Sequence, residues 1–368
     1  MKLVLWTSIP NHYQASLLSA LRGQGTSVVA RYSERVPRSR LALGWSDNPE
    51  LPEGDEYVPA KLRSLTAIPE WRERLHLIPG ASRTFLILLI RRLSKEGVDW
   101  AHWSERSHRG CRWYLSYAVK RWLAGSINKY AVGAFAQGAL AFADFQRWGV
   151  DPSKICQLSY ASPPADRGAA PDQLCQNFQR QRKSFLYLGS LCRRKGTDVL
   201  IEAFGRVAKK SLEWTLILAG NDCGRGQYQK MARRYGVEDR VLFRGSVAPA
   251  QLSNVMASAH VLILPSRFDG WGITLNEGAS MGLPLIGSTA VESANHLIEP
   301  GLNGVRVRPG CTESLARAMS IYVNEPSLLT IHGARSLRIY SAFTPERNAE
   351  KLLAALGTWQ AMGKGKRC

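Results

Sequence analysis

Short apolar runs alternate with longer stretches of helical periodicity along most of the chain. Apolar runs without internal alternation are typical of strands buried on both faces, whereas apolar spacings of three and four predict amphipathic helices. Repeated strand–helix units predict an α/β chain with parallel sheets that helices cover on both faces. In the first half, the predicted elements are strands at 2–6, 27–32, 98–103 and 129–135 and helices at 13–25 and 112–125.

The alternation stops between residues 159 and 183, where Pro, Ala and polar residues replace strand-forming ones. Such a composition is typical of an interdomain linker. Beyond it the pattern restarts and predicts a second doubly wound unit. Its predicted strands are 184–189, 214–220, 240–245, 261–265 and 284–287, and its predicted helices are 197–210, 228–236, 250–259 and 274–282.

Length and charge narrow the class of protein. The 368 residues are 45% apolar and 21% charged, which indicates globular domains, and the length suits two of them. A net charge of +20 favours an anionic partner, such as nucleotide phosphates, nucleic acid or an acidic membrane surface. No recognised nucleic-acid-binding module is present, so we expect no nucleic-acid partner.

Cysteines and apolar segments bear on localisation. The seven cysteines are scattered, odd in number and never spaced as Cys-x-x-Cys, which argues against a disulfide framework or a zinc site and favours a reducing cytoplasm. The apolar start is too short for a signal peptide, and the longest aliphatic run, 85–90, is too short to span a bilayer. Residues 71–95 mix basic and apolar side chains at helix-like spacing. They predict either a helix packed on a sheet or contact with the inner face of an anionic membrane.

Two carboxylates flank a glycine turn after the predicted strand 261–265. Asp269 precedes the turn, and Glu277 follows it one helical turn into the next predicted helix. The first amides of that helix, at Gly272, Ile273 and Thr274, are donors at a strand end, which suits an anion. Because carboxylates repel phosphate, we expect Asp269 and Glu277 to bind hydroxyls on either side of it. A nucleotide sugar has that arrangement of groups.

Residues 261–304 resemble the C-terminal motif of retaining glycosyltransferases of family 4, the glycosyl transferases group 1 type, which have the GT-B fold. That motif has two acids separated by seven residues, within a Pro-Ser and glycine framework. Here the matching positions are Pro265, Ser266, Asp269, Gly270, Gly272, Glu277, Gly282, Pro284 and 301–304. The resemblance implies that Glu277 binds the ribose and Asp269 the transferred sugar.

The same resemblance implies a fold and domain boundaries. The expected architecture is α/β of GT-B type, with two doubly wound Rossmann-like domains whose parallel sheets face an interdomain cleft. The expected boundaries are an N-terminal acceptor-binding domain at 1–165, a linker at 166–183 and a nucleotide-sugar-binding domain at 184–344. A C-terminal helix at about 345–368 is expected to pack back on the N-terminal domain.

The stretch 185–204 resembles the strand–loop–helix of that family that binds the donor diphosphate. The resemblance implies that Lys195, before Gly196, pairs with phosphate. Where the pattern often has an arginine, this chain has Ser190, and we expect Arg193 or Arg194 to replace its charge. Residues 241–247 resemble the base pocket, which makes Ser246 and Val247 further nucleotide-binding candidates.

Two departures from the family pattern stand out. Asp269 replaces the usual glutamate and is shorter by one methylene, roughly 1.5 Å of reach. Residues 292–296 replace the usual Gly-Gly-x-Pro-Glu, and at their end we expect His296 to have a structural role.

The acceptor side follows the family only in outline. The stretch 100–110 is a predicted strand end with Glu105 and His108. Glu105 is the favoured catalytic residue, which would hydrogen-bond either to the acceptor hydroxyl or to the donor sugar. The alternative is that Glu105 pairs with a neighbouring arginine at the surface. The loop after the first strand adds Asn11 and His12 as acceptor-binding candidates.

The resemblance implies a retaining, metal-independent hexosyltransferase that moves a sugar from a UDP- or GDP-linked donor to a hydroxyl of a glycan or lipid-linked acceptor. Cell-surface polysaccharide or lipopolysaccharide biosynthesis is the expected setting, the nucleotide sugar is a co-substrate, and no cofactor or metal is expected. Asp269, Glu105 and Lys195 are the predicted catalytic residues. The alternatives are a degenerate, non-catalytic GT-B protein that acts as a binding partner, or a nucleotide-sugar epimerase. A Rossmann dehydrogenase is excluded, since no glycine follows the first strand closely.

Overall fold

The computed structural model describes residues 1–41, 49–58, 61, 63–80, 84–107 and 113–364. These residues form two compact units. The first contains the described residues up to Ala161 together with the segment that begins at Pro345, and the second is Ser162–Thr344.

The first unit is built on a parallel sheet. In the described residues the strand order is β3-β2-β1-β4-β5-β6-β7, with every pair of neighbours parallel. The strands are β1 (Lys2–Thr7), β2 (Ser27–Tyr32), β3 (Glu56–Tyr57), β4 (Leu75–Pro79), β5 (Trp100–Glu105), β6 (Gly133–Gln137) and β7 (Ile155–Leu158). The helices between them are α1 (His12–Gly23), α2 (Arg38–Leu41), α3 (Arg63–Thr66), α4 (Thr84–Lys95), α5 (Trp113–Tyr130) and α6 (Ala139–Trp148).

The second unit repeats this arrangement with the strand order β10-β9-β8-β11-β12-β13. Its strands are β8 (Lys183–Leu188), β9 (Trp214–Ala219), β10 (Val241–Gly245), β11 (Val261–Leu264), β12 (Leu285–Ser288) and β13 (Gly304–Val307). Its helices are α7 (Gln173–Gln179), α8 (Thr197–Ala208), α9 (Gln227–Arg234), α10 (Leu252–Ala257), α11 (Thr274–Ser280), α12 (Glu292–Leu297), α13 (Thr312–Asn324) and α14 (Leu328–Tyr340). Single 3₁₀ turns occur in the chain at Trp71–Glu73, Pro152–Lys154, Arg193–Lys195, Glu238–Arg240 and Pro249–Gln251.

The last helix, α15 (Pro345–Lys364), belongs to the first unit. Its apolar face, which includes Leu352 and Trp359, is buried in the same cluster as Leu3 of β1 and Phe135 of β6. The rings of Phe135 and Trp359 are 5.0 Å apart between centroids. Side chains alternate across a strand, so Val4 and Trp6 of β1 face the opposite cluster, which α4, α5 and α6 complete. The sheet is therefore covered on both faces.

Three stretches differ from the sequence-based expectation. Within 71–95 the first half is not helical, because Leu75–Pro79 forms the buried strand β4 and only Thr84–Lys95 forms a helix. The predicted strand at 129–135 begins later, at Gly133, since Lys129 and Tyr130 still belong to α5. Residues 166–183 contain helix α7, whose Cys175 is buried in the core of the second unit.

Among the described residues, we find no helix that combines the length and the apolar character needed to cross a membrane.

Candidate functional site

The order of strands in the second unit reverses between β8 and β11. From β8 the chain continues outward to β9 and β10, and it then returns to β11 on the other side of β8. In open α/β sheets, ligands bind beyond the carboxyl ends of the strands at such a reversal. The loops that follow β8 and β11 contain Lys195 and Asp269, respectively.

The Lys195 loop is fixed by a close approach of two backbone segments. Arg193–Lys195 forms a 3₁₀ turn, and Gly196 ends it in the left-handed region with φ 79°. A Cβ atom at Gly196 would lie 2.4 Å from the carbonyl oxygen of Pro265, so only glycine fits here. The Lys195 loop therefore packs against the end of β11, and α8 begins directly after it.

The Asp269 loop is held from the other side by the segment between β12 and α12. Asp269 forms an isolated parallel bridge with Val291, and the amide of Asp269 donates to the Ala290 carbonyl at 3.4 Å. Gly272 has φ +85°, and a Cβ atom there would lie 2.4 Å from Val291 Cγ1. The sequence Gly-Trp-Gly thus permits a turn that a bulkier residue at position 272 would prevent.

Lys195 and Asp269 form an ion pair between the two loops. Lys195 Nζ donates to Asp269 Oδ2 at 2.5 Å, and the side chains are 17% and 15% exposed. Arg194, which is exposed, donates from its guanidinium to the carbonyl of Phe268 at 3.0 Å. The structure therefore brings together Lys195, Asp269 and Arg194, all three predicted from the sequence. The ammonium group of Lys195 lies beyond the strands at which the strand order reverses.

Glu277 lies one turn into α11, half-buried. The hydrogen bonds of that helix begin with the amides of Leu275 and Asn276, which donate to the carbonyls of Gly272 and Ile273 at 3.1 and 2.9 Å. The amides of the predicted donor-binding residues Gly272, Ile273 and Thr274 come before these bonds in the chain. All three residues are half-buried.

A buried cluster that the sequence did not indicate supports this turn. Trp271 is 3% exposed and donates from Nε1 to Asn276 Oδ1 at 2.8 Å, and its ring stacks on that of His296 at 5.5 Å. His296 Nε2 is 2.9 Å from Oε1 of the buried Glu292. These contacts agree with the structural role expected for His296, since it connects the turn to α12.

Of the remaining donor candidates, two follow the edge strand β10 and one lies on the Lys195 loop. Ser246 and Val247 follow β10, an edge strand of the sheet, and β9 lies between β10 and β8. Ser246 is exposed, and Val247 packs against the core. Ser190 follows β8 and is half-buried, and its carbonyl accepts a hydrogen bond from the Tyr187 hydroxyl at 2.8 Å. Ser190 is thus held on the same loop as Lys195.

In the first unit, Glu105 ends β5 and lies in register with Gln137 of β6. Tyr160, which follows β7 and was not singled out from the sequence, hydrogen-bonds with Glu105. Burial is the main cause that raises the pKa of the Tyr160 hydroxyl, and the negative charge of Glu105 is the second. Glu105 therefore has a polar neighbour at the carboxyl edge of its sheet. The sequence contains no signal for Tyr160, because no strand is predicted at 155–158, where β7 forms.

Asn11 and His12 follow β1 at the same edge. Asn11 Oδ1 accepts the amide of Gln14 at 2.9 Å and so caps α1, which is a structural task. His12 begins that helix, and burial lowers its pKa to about 4, so its ring is neutral at physiological pH. His108, the third acceptor-binding candidate, lies outside the described residues.

Within the part of the chain that the structure describes, no three His, Cys, Asp or Glu side chains are grouped as metal ligands.

Comparison with known proteins gives matches to parts of the chain. Residues 182–325 match the profile of the family described as "Glycosyl transferases group 1". The lipopolysaccharide 1,6-galactosyltransferase of Salmonella typhimurium is 33% identical over 135 residues, which cover 35% of this chain and 36% of that protein. The alpha-D-kanosaminyltransferase of Streptomyces kanamyceticus is 29% identical over 147 residues, which cover 40% of this chain and 38% of that protein. These matches thus span well under half the length of either relative.

The likeness in structure extends over almost the whole chain. The Anabaena protein HepE, solved in complex with UDP and glucose, superposes with a TM-score of 0.74 at 15% identity and covers 97% of this chain and 100% of its own. At that identity the likeness shows the fold alone. The fold is of the expected GT-B type, with two parallel-sheet Rossmann-like units.

Proposed function

We propose that this chain, whose residues 182–325 match the glycosyl transferases group 1 family, transfers a sugar from a nucleotide-diphosphate sugar to a hydroxyl group. The donor is UDP- or GDP-linked, and the acceptor is a glycan or a lipid-linked glycan. The observation that supports this most strongly is the Lys195–Asp269 pair at the strand-order reversal of the second unit. A cation beside a carboxylate there suits a ligand in which phosphate adjoins sugar hydroxyls.

The proposed roles follow from the chemistry of bond cleavage. When the bond between the sugar and the diphosphate breaks, negative charge develops on the phosphate oxygens, and a nearby cation stabilises it. Lys195 supplies that charge, with Arg194 on the same turn. Asp269 accepts hydrogen bonds from hydroxyls of the transferred sugar, and Glu277 accepts them from the ribose.

The proposed reaction retains the anomeric configuration and needs no metal. The acceptor hydroxyl enters from the side of the leaving group, bonds to the anomeric carbon and gives its proton to the departing phosphate. Glu105 is the proposed residue of the first unit that contacts the acceptor or the donor sugar. Its support is its position at the end of β5, where Tyr160 hydrogen-bonds with it.

The biological setting remains part of the proposal. Lipopolysaccharide or other cell-surface polysaccharide synthesis is supported by a relative named as a lipopolysaccharide galactosyltransferase, although the match covers only part of that protein. The proposed localisation is cytoplasmic, at the inner face of the membrane.

Contact with an anionic membrane is supported by one face of α4. Leu88 is 40% exposed there, and Arg91 and Lys95 on the same helix are also exposed. Apolar and basic side chains side by side suit a surface of anionic lipid. Sedimentation with vesicles that contain phosphatidylglycerol tests this. Leu88→Ser should weaken binding, whereas Leu212→Ser, at an exposed leucine of the second unit, should leave it unchanged.

A donor screen tests the enzymatic proposal. Thermal-shift measurements with UDP-, GDP- and ADP-sugars identify the nucleotide, and incubation of the stabilising donor with glycan acceptors, with and without EDTA, measures transfer. We expect that EDTA does not reduce transfer and that NMR shows the anomeric configuration of the donor sugar in the product. Binding of a nucleotide sugar without turnover would favour the non-catalytic alternative, and release of a free epimerised sugar would favour the epimerase.

A further inference from the structure

Arg267 connects the two loops that contain Lys195 and Asp269. Its guanidinium makes two parallel hydrogen bonds to Asp198, from Nη1 to Oδ1 at 2.6 Å and from Nη2 to Oδ2 at 2.8 Å. Arg267 lies two positions before Asp269, and Asp198 lies three positions after Lys195, at the start of α8. The pair therefore joins the residues that flank the proposed diphosphate and sugar ligands.

Backbone contacts reinforce this connection. Arg267 Nη1 also donates to the carbonyl of Arg193 at 2.6 Å, and its amide donates to the carbonyl of Arg194 at 2.8 Å. In the opposite direction, Arg194 donates to the carbonyl of Phe268 at 3.0 Å. The segments 193–196 and 265–269 are thus held in one register by contacts that all converge near Arg267.

The pair determines geometry more than it adds stability. Its side chains are 31% and 28% exposed, and ion pairs with that much exposure stabilise proteins little. Bidentate arginine–carboxylate contacts nevertheless restrict both distance and angle, which a lysine could not do. The consequence of losing the pair should therefore appear at Lys195 and Asp269 and less in the unfolding free energy.

We propose that Arg267 and Asp198 are positioning residues, which fix the distance between Lys195 and Asp269 and thereby the fit of the donor's diphosphate and sugar. This inference rests on the proposed function for its consequence in catalysis. Its structural part, that the pair holds the two loops together, does not depend on any ligand.

Hydrogen exchange in the ligand-free protein tests the structural part. In Asp198→Asn the amide of Arg267 should exchange about 10-fold faster or more, because local opening becomes easier, while the rest of α8 stays protected. The matched control is Arg206→Gln, which removes the Arg206–Glu202 pair on the exposed side of the same helix. Unchanged exchange at Arg267 in Asp198→Asn would overturn the proposal.

Affinity for UDP and GDP, measured by calorimetry, tests the consequence. Asp198→Asn should weaken binding of the preferred nucleoside diphosphate about 10-fold, and Arg267→Lys should weaken it less, since the charge remains. Combining Asp198→Asn with Lys195→Ala should cost less than the sum of the two, because both act through Lys195. Full additivity, or unchanged affinity in Asp198→Asn, would refute positioning, as a purely structural pair leaves affinity unaltered in the folded protein.

The two experiments separate the failure of this inference from the failure of the proposed function. If the wild-type protein bound no nucleoside diphosphate and transferred no sugar, the proposed function would fail, and hydrogen exchange would still decide whether Arg267 and Asp198 hold the loops. If the wild-type protein bound a nucleoside diphosphate and the variants bound it equally well, the proposed function would stand and the positioning role would fail.

Discussion

Lys195 Nζ contacts Asp269 Oδ2 at 2.5 Å, although 74 positions of sequence separate the two residues. The contact joins the loops after β8 and β11, the two strands at which the order of the sheet reverses. An incoming diphosphate and Asp269 would compete for the same ammonium group. The pair thus keeps Lys195 oriented toward the site while it offsets part of its attraction for phosphate.

The first prediction concerns Lys195. If it stabilises the charge of the leaving group, Lys195→Ala should lower turnover about 100-fold or more, as is typical for the loss of one preorganised electrostatic contact. The variant should fold but be less stable by about 1–3 kcal/mol, because the Asp269 carboxylate, which is only 15% exposed, loses its partner. Steady-state kinetics with the donor identified by the screen, together with thermal unfolding, measures both effects.

The control for this prediction is Lys210→Ala, which removes an exposed lysine of the same unit beyond the end of α8. Its turnover should equal that of the wild type. Wild-type turnover in Lys195→Ala would remove Lys195 from the site.

Glu277 is the subject of the second prediction. Glu277→Gln preserves the shape of the side chain but weakens each hydrogen bond that it accepts from a ribose hydroxyl, and bonds to charged groups contribute roughly 1.5–3 kcal/mol. Affinity for the free nucleoside diphosphate should therefore fall, as measured by calorimetry. Glu313→Gln, at an exposed residue of α13, is the matched control. Equal affinity in all three proteins would mean that the ribose binds elsewhere.

The third prediction concerns acid stability of the first unit. Burial lowers the pKa of His12, His76 and His102 to about 4, from an ordinary value of 6.5. Between pH 6.5 and 4 the unfolded chain binds these protons and the folded chain does not, so stability should fall as the pH falls through that range and stay level above it. Each unit of pKa difference corresponds to about 1.4 kcal/mol.

Calorimetric unfolding between pH 7 and 4.5 measures this loss. His102→Gln removes one of the three groups and should therefore reduce the fall in Tm on acidification, even if its Tm at pH 7 is lower. An identical acid-induced fall in wild type and variant would mean that His102 is protonated equally in the folded and unfolded states.

The sequence predicted the sheet-forming runs of the second unit well, because β8, β9 and β11 are buried on both faces and consist almost wholly of apolar residues. It did not predict β4, whose buried His76 interrupts the apolar run. The structure explains this residue, since His76 accepts from Trp6 Nε1 at 3.0 Å and its other ring nitrogen lies 2.8 Å from the Trp71 carbonyl. A polar residue that finds its partners only after folding cannot be recognised as buried beforehand.

The candidate site shows the same limit. The placement of Lys195 and Asp269 in loops after strands, and of Glu277 in the helix that follows, could be predicted, because the strands are recognisable and the stretch resembles a family motif. Their roles stay predictions. The pairing of Lys195 with Asp269, and that of Arg267 with Asp198, could not, since both depend on β8 and β11 being neighbours in the sheet. Strand order is a long-range property that local sequence patterns do not encode.

The last prediction concerns Asp269, the shorter acid at a position where the family usually has glutamate. Asp269→Asn removes the charge that opposes phosphate at Lys195, so affinity for the nucleoside diphosphate should stay the same or rise, while sugar transfer should fall strongly.

Asp269→Glu distinguishes two explanations of the shorter side chain. In the structure, Asp269 already contacts Lys195 directly, so an added methylene has to displace either the lysine or the sugar, and we expect activity to fall. A rise in activity would instead mean that the natural site is impaired by its short acid. One transfer assay on the three proteins with the same donor decides between these outcomes. Equal activity in all three would show that Asp269 does not touch the reacting sugar, and the proposed role of this carboxylate would be wrong.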